Sequence, residues 1–455
     1  MRNTPIKFSS GLKAASAAVL VAMSTLASQA WAAIPIQHWV QPSGAKVYLV
    51  ESPTLPMVDV RLEFDAGSRR QPADKAGLAS VTAGMISKGV AARGNEPALD
   101  ENQLGEAWAD LGAGFGASAG ADRMSFSLRT LNYPEILPKA VALAARQMGE
   151  PSFPEAIWQR ERQRMAASIR EANTKPATLA NRAFSAAVYG SHPYGHDTTE
   201  ATLAKISVED MRQMYGLVQA CRAKVSVVGA VNRAQADSIV TSILARLPAA
   251  GRCDALPAVT EVQPLTAPVV RDVPFSSAQA HVLIGQPGYK RNDPDHFAIV
   301  LGNYVLGGGG LVSRLADEVR EKRGLSYSVY SYFAPGLHAG AFTVGLQTRP
   351  DQAAQAVKVA QDAVAKFIAD GPTPQELKAA KDNLIGGFPL LIDSNRKLLD
   401  NIANIAWNDL PLDYLDTWTA NMQRITAADI KAAFARKLQP QRMVTVTVGA
   451  AAAPR

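Results

Sequence analysis

Residues 306–331 read Leu-Gly-Gly-Gly-Gly-Leu-Val-Ser-Arg-Leu-Ala-Asp-Glu-Val-Arg-Glu-Lys-Arg-Gly-Leu-Ser-Tyr-Ser-Val-Tyr-Ser. No Gly-Lys-Ser/Thr follows the four glycines at 307–310, and their spacing is not that of a dinucleotide fingerprint, so they cradle no phosphate. They separate two helical patterns, the second predicted over 312–322. Gly324 ends that helix, and a run rich in Ser, Tyr and Val then reads as a strand. Arg320 and Tyr327 stand seven positions apart in this stretch. A guanidinium offers several donors to a carbonyl or carboxylate, and a phenol donates to an oxygen that gains charge during acyl transfer. Taken in isolation, the same residues read as a surface salt bridge to Glu321 or Asp317 and a tyrosine ring in the core.

Outward from this stretch, the chain repeats itself. Pro154 and Pro374 lie 374 − 154 = 220 positions apart, each opening a long helical pattern. Ile206 and Ile425, each before a short helix, are 425 − 206 = 219 apart, and Gly229 and Gly449, each closing a valine-rich strand, are 449 − 229 = 220 apart. Three anchors at one offset imply duplicated domains. Between them, residues 247–275 carry five prolines and no helical periodicity, the pattern of a linker. Alternating strand patterns at 46–50, 58–64, 281–285 and 341–347 interleave with helices. The fold class is therefore α+β, with two homologous domains, each a largely antiparallel sheet with helices packed on it.

Residues 77–89, Gly-Leu-Ala-Ser-Val-Thr-Ala-Gly-Met-Ile-Ser-Lys-Gly, predict a further helix. Asp74 is positioned to cap its start, Leu78, Val81 and Met85 keep helical spacing, and Lys88-Gly89 form a C-terminal signal. The opposite face carries only small residues, Ser80, Ala83, Gly84 and Ser87. Read from the residues alone, such a face lets another element pack closely.

Together these stretches resemble the M16 peptidases (pitrilysin/insulinase-type inverted zincins). Residues 306–331 are similar to that family's second-domain signature, and residues 77–89 to its metal helix, which carries H-x-x-E-H. In such a helix two His four residues apart share a face and bind zinc, while the Glu activates the metal-bound water. Here Ser80 stands at the first His position, Ala83 at the Glu and Gly84 at the second His. A hydroxyl, a methyl and a hydrogen neither hold zinc nor take a proton from water. Glu161 falls 161 − 84 = 77 residues after Gly84, close to the family's third ligand position. The resemblance extends to Leu55–Arg69, similar to the strand before the metal helix, and to Tyr189-Gly-Ser-His-Pro-Tyr-Gly, similar to a family turn, in which His192 and His196 read as structural. It implies that Arg320 and Tyr327 are the pair that reaches the substrate from the second domain. The domain reading is then 1–32 signal peptide, 33–246 first M16-like domain with a degenerate metal motif, 247–275 linker and 276–455 second M16-like domain.

Composition fits this reading. The chain has 455 residues, 47% hydrophobic and 19% charged, the balance of a globular protein of more than one domain. Arg2, Lys7 and Lys13, the apolar run 14–27 and Ala30-Trp31-Ala32 form a secretory signal, implying a periplasmic location. Removing residues 1–32 takes away three Lys/Arg and no Asp/Glu, so the formal charge falls from +7 to +4, too mild to imply nucleic acid. In an exported protein Cys221 and Cys253 are expected to pair, a bridge worth roughly 3–4 kcal/mol in the chain-entropy model. The alternative is two unpaired thiols.

Three functions follow. The first is the non-metal subunit of a periplasmic heterodimeric zinc peptidase, inactive alone, supplying Arg320 and Tyr327 to a partner that carries H-x-x-E-H, binds the zinc and shares an unstructured peptide substrate. This chain itself is expected to need no cofactor. The second is a non-catalytic peptide-binding or assembly scaffold. The third, a hydrolase of different chemistry, finds no Gly-x-Ser-x-Gly, reactive-cysteine context or alternative His/carboxylate cluster to support it.

Overall fold

The computed structural model describes residues 34–248 and 253–450; the signal-peptide reading of 1–32 lies outside them. The first sheet has six strands: β1 (Gln37–Val40), β2 (Lys46–Glu51), β3 (Met57–Phe64), β6 (Gly114–Ala119), β7 (Met124–Leu131) and β8 (Lys224–Gly229). A two-residue pair, β4 (Gly89–Val90) and β5 (Leu99–Asp100), stands apart from it. The second sheet has five: β9 (Val269–Val273), β10 (Ala280–Tyr289), β11 (Val329–Phe333), β12 (Gly340–Thr348) and β13 (Val444–Val448). Their orders are β1-β2-β8-β3-β7-β6 and β11-β12-β10-β13-β9. Each sheet is antiparallel except for one parallel pair, β2 with β8 and β9 with β13. Reversed, the second order reproduces β2-β8-β3-β7-β6 strand for strand, so the duplication is one of topology as well as sequence.

Alternation explains which side of each sheet is core. On β3, Val58, Val60, Leu62 and Phe64 join Val225 and Val227 of β8 and Phe126 and Leu128 of β7 in one buried cluster. The helices Leu137–Gly149 and Arg233–Leu244 contribute to it through Val141, Ala144, Ile239 and Ile243. The opposite side is covered by exchange. The first half's helix Pro176–Tyr189 packs on the second sheet, with Ala180, Phe184 and Val188 against Leu283, Val444 and Val446. The second half's helix Asn395–Trp407 packs on β3 and β8 of the first sheet. Those helices start 395 − 176 = 219 residues apart, the repeat offset again.

Two expectations need correction. Residues 269–273, read as linker, form β9, because Met443 and β13 offer an open edge for Val269 onward to pair with. Prolines mark the rest of the connector but leave this short strand intact. The helix predicted over 312–322 is present but shorter: after a 3₁₀ turn, Gly310–Val312, it runs over 314–321, with π-type bonding from Ala316 to Glu321. A disulfide joins Cys221 to Cys253, with Cα atoms 5.8 Å apart, tying the connector to the entrance of β8.

Candidate functional site

The helix in the degenerate metal motif spans Leu78–Met85. Asp74 does not cap it: Asp74 lies in a separate 3₁₀ turn and pairs with Lys205 at 3.4 Å. The cap comes from Gln71, whose Oε1 accepts from Ala79 N at 3.0 Å. The start is Gly77 at φ 104°, where a Cβ would also lie 2.7 Å from Thr198, so glycine is required there. The helix stops at Met85, before the Lys88-Gly89 signal.

The face read as uniformly small divides. Ser80, Gly84 and Ser87 are exposed, whereas Ala83 is 2% exposed and packs in the core cluster. A Cβ at Gly84 would meet nothing within 4 Å, so close packing does not explain that glycine. The base position has been absorbed into the core and the two ligand positions left open to solvent.

Glu161 lies on the helix Glu155–Ala172 and is 8% exposed, although its neighbours on the helix are mostly in water. Its carboxylate meets Arg164 at 2.5 Å, Arg160 at 3.1 Å and Lys88 at 3.6 Å. Glu101 completes the network with Lys88 at 3.1 Å and Arg160 at 2.8 Å. Burial pushes the Glu161 carboxyl up, and hydrogen bonds from Arg164 and Arg160, with the charge of Lys88, outweigh it and hold the group below the usual carboxylate range. A buried carboxylate needs a positive partner, and here an ammonium and two guanidiniums supply it. Lys88 was legible in the sequence only as a helix-end cation.

These residues do not fit zinc. Two ligand positions carry a hydroxyl and a hydrogen, the remaining carboxylate is saturated by cations, and among the described residues no group of three His, Cys, Asp or Glu is placed to hold a metal. Metal analysis of purified, chelator-free protein should find far less than one zinc per chain. One tightly held zinc per chain would overturn this reading.

In the second half the glycine run is a matter of packing. A Cβ on Gly307 would lie 2.5 Å from Ser331 N of β11, and Gly310 sits at φ 63°. One π-helical segment, Tyr304–Gly308, takes in the first two glycines and a second, Ala316–Glu321, follows the run, closed by Gly309 N to Tyr304 O at 2.8 Å and Lys322 N to Asp317 O at 2.9 Å. Such segments are uncommon and recur at functional sites. Arg314, which sequence reasoning passed over, anchors this region: it grips Glu376 through two bonds of 2.7 Å and donates to Gly371 O at 2.8 Å.

The structure brings Arg320 and Tyr327 together. The guanidinium stands 4.7 Å from the centre of the tyrosine ring and 3.2 Å from Glu321. Ser326 Oγ donates to Ser328 O at 2.7 Å, a tight turn that points the intervening residue outward. Tyr327 is accordingly 82% exposed, not a core ring, and Arg320 is partly shielded against it. Neither residue bonds to the Ser80–Gly84 face or to Glu161, whose partners are Lys88, Arg160 and Arg164.

His192 and His196 belong to a different place. His192 is buried and its Nδ1 accepts from Tyr194 N at 3.1 Å, capping the turn Pro193–Gly195. Burial holds its imidazole below the usual histidine range. Tyr194 then reaches Asp122 at 2.5 Å, and together they receive the backbone N–H groups of His338 and Leu337 at 3.2 and 3.0 Å. The turn is a clasp between the two halves.

Comparison with known proteins agrees with this geometry. Residues 46–202 match the model of "Insulinase (Peptidase family M16)", and residues 205–384 match "Peptidase M16 inactive domain". The solved structure of a peptidase M16 inactive domain from Pseudomonas fluorescens is 33% identical, covers 92% of this chain and 99% of its own, and superposes with a TM-score of 0.86. A non-peptidase homolog from Helicobacter pylori is 26% identical over 85% of this chain and 88% of its own length. An uncharacterized zinc protease of Bacillus subtilis is 25% identical over 81% and 88%. The chain belongs to peptidase family M16.

Proposed function

We propose that this protein is the non-metal subunit of a periplasmic heterodimeric M16 zinc peptidase. Its partner carries H-x-x-E-H and the zinc, and this chain contributes Arg320 and Tyr327 to the shared peptide site. The observation that carries the reading is the pairing of an exposed phenol with a guanidinium stacked on it, retained in a chain whose own metal helix is disarmed. At 82% exposure the Tyr327 ring is open to a substrate or partner. The phenol O–H donates to the substrate carbonyl oxygen as it gains charge, and Arg320 holds a carbonyl or carboxylate alongside. The Cys221–Cys253 bridge favours an oxidising compartment, and among the described residues no helix is long and apolar enough to cross a membrane. The functional domains are taken as residues 33–246 and, with β9 included, 269–455, with residues 1–32 removed on export.

The test is reconstitution. This chain alone should cleave no peptide; mixed with an exported M16 chain that carries H-x-x-E-H, it should yield activity that neither shows alone. A second reading, a peptide-binding or assembly scaffold, takes its support from the relative described as a non-peptidase homolog. It predicts a stable complex whose activity equals that of the metal-bearing chain by itself.

A further inference from the structure

The clasp between the halves rests on one imidazole. His192 is 6% exposed, and its Nδ1 accepts from Tyr194 N at 3.1 Å, which caps the turn Pro193–Gly195. With Nδ1 an acceptor, the neutral ring carries its proton on Nε2, which is buried without a hydrogen-bond partner. Tyr194, placed by that cap, donates from Oη to Asp122 at 2.5 Å and accepts from His338 N at 3.2 Å. Asp122 also accepts from Leu337 N at 3.0 Å. Leu337 and His338 lie in the loop that closes the hairpin of β11 and β12. A turn of the first half thus holds a loop of the second through a chain of bonds that begins at His192 Nδ1.

The charges around His192 are already engaged with one another. The His338 ring meets it edge to face, with ring centres 5.0 Å apart. Asp122, between β6 and β7, is taken up by Tyr194, Leu337 and Arg69, the last at 3.2 Å. Glu261 of the connector is taken up by Lys290 at 2.5 Å, His338 at 3.3 Å, and the N–H groups of Ala339 and Val262 at 2.9 and 3.0 Å. Burial pushes the Glu261 carboxyl up, but Lys290 and those N–H groups hold it down to about 2, so it does not titrate near neutrality. Burial pushes the phenols of Tyr189 and Tyr194 up, so they stay neutral there. His196, on the same turn, adds only positive charge when it takes a proton. A cleft of about 610 Å³, bordered by Arg69, Tyr189, His192 and Glu261, lies beside the turn and leaves it room to move.

We propose that His192 is an acid-operated latch between the two halves. A proton on Nδ1 turns the acceptor of the cap into a donor that faces Tyr194 N–H. The turn loses its cap, and Tyr194 and Asp122 let go of the loop between β11 and β12. Burial sets the sign: it disfavours the charged ring in the closed clasp, a charge on His338 acts in the same direction, and the imidazole is held below its usual 6.5. The clasp is therefore at full strength above about pH 6.5 and weakens as the pH falls below it. With the released ring titrating near 6.5, going from about pH 7 to about pH 5 favours opening by about tenfold.

Hydrogen exchange on the full chain, read by mass spectrometry and corrected for the intrinsic rate at each pH, tests this. Protection of the Leu337 and His338 amides should fall about tenfold from about pH 7 to about pH 5, while that of the buried strand β13 stays unchanged. His192→Asn keeps an acceptor at the cap that takes no proton, and should abolish the response. An equal loss in the loop and in β13, the same response in His192→Asn, or no response in the unaltered chain would overturn the proposal. The unaltered chain decides the matter by itself if the variant does not fold.

Discussion

Tyr327→Phe should lower the kcat of the reconstituted peptidase by about 10²–10³, the usual scale for removing one donor to a developing oxyanion, and leave assembly intact. The substitution deletes one oxygen and nothing else. The ring is exposed, no core contact is lost, and the cation–π contact with Arg320 survives in phenylalanine. A loss of that size therefore reports chemistry and not folding. Arg320→Ala should show more of its loss in kcat/KM, since a positioning group acts on substrate capture. Because the two side chains touch, the double variant should lose less than the product of the single losses. Full activity of both variants in an assembled complex would make the pair structural and favour the scaffold reading.

Phe184→Ala should destabilise the whole chain by about 3–5 kcal/mol, measured from the urea denaturation curve, the range for emptying an aromatic site in a packed core. Phe184 belongs by sequence to the first half, yet it is buried against the second sheet with Leu283 and Val446. Gly285 of β10 lies under it: a Cβ there would come within 2.9 Å of the ring tip and 1.9 Å of Phe342 O. The ring thus fills a depression that only glycine leaves, and a methyl in its place leaves a void that the paired strands cannot close. A change below about 1 kcal/mol would mean that the ring does not fill a packed site between the halves.

The sequence made one part of the molecule legible because that part is written in neighbours. The 220-residue offset, the alternation on β3 and β8 and the substitution of Ser80, Ala83 and Gly84 for ligands and base all depend on spacing along the chain. They established the α+β duplication and led to the expectation that the zinc chemistry is lost. Local signals failed where a distant group competed for the same backbone. Gln71, not Asp74, capped the metal-motif helix; β13 drew residues 269–273 out of the connector; and π-type bonding replaced the α-helix expected after the glycine run.

What only the tertiary structure decided is which charges and faces meet. Nothing in the spacing of Glu161 says that Lys88 meets it, or that Ala83 turns inward while Gly84 turns to solvent. The equivalence of helices 176–189 and 395–407 follows from the repeat, but their exchange between sheets does not. A repeat encodes the same local bonds twice. The partners each copy buries against are set by long-range packing, where the two copies face different surfaces and so come to do different work.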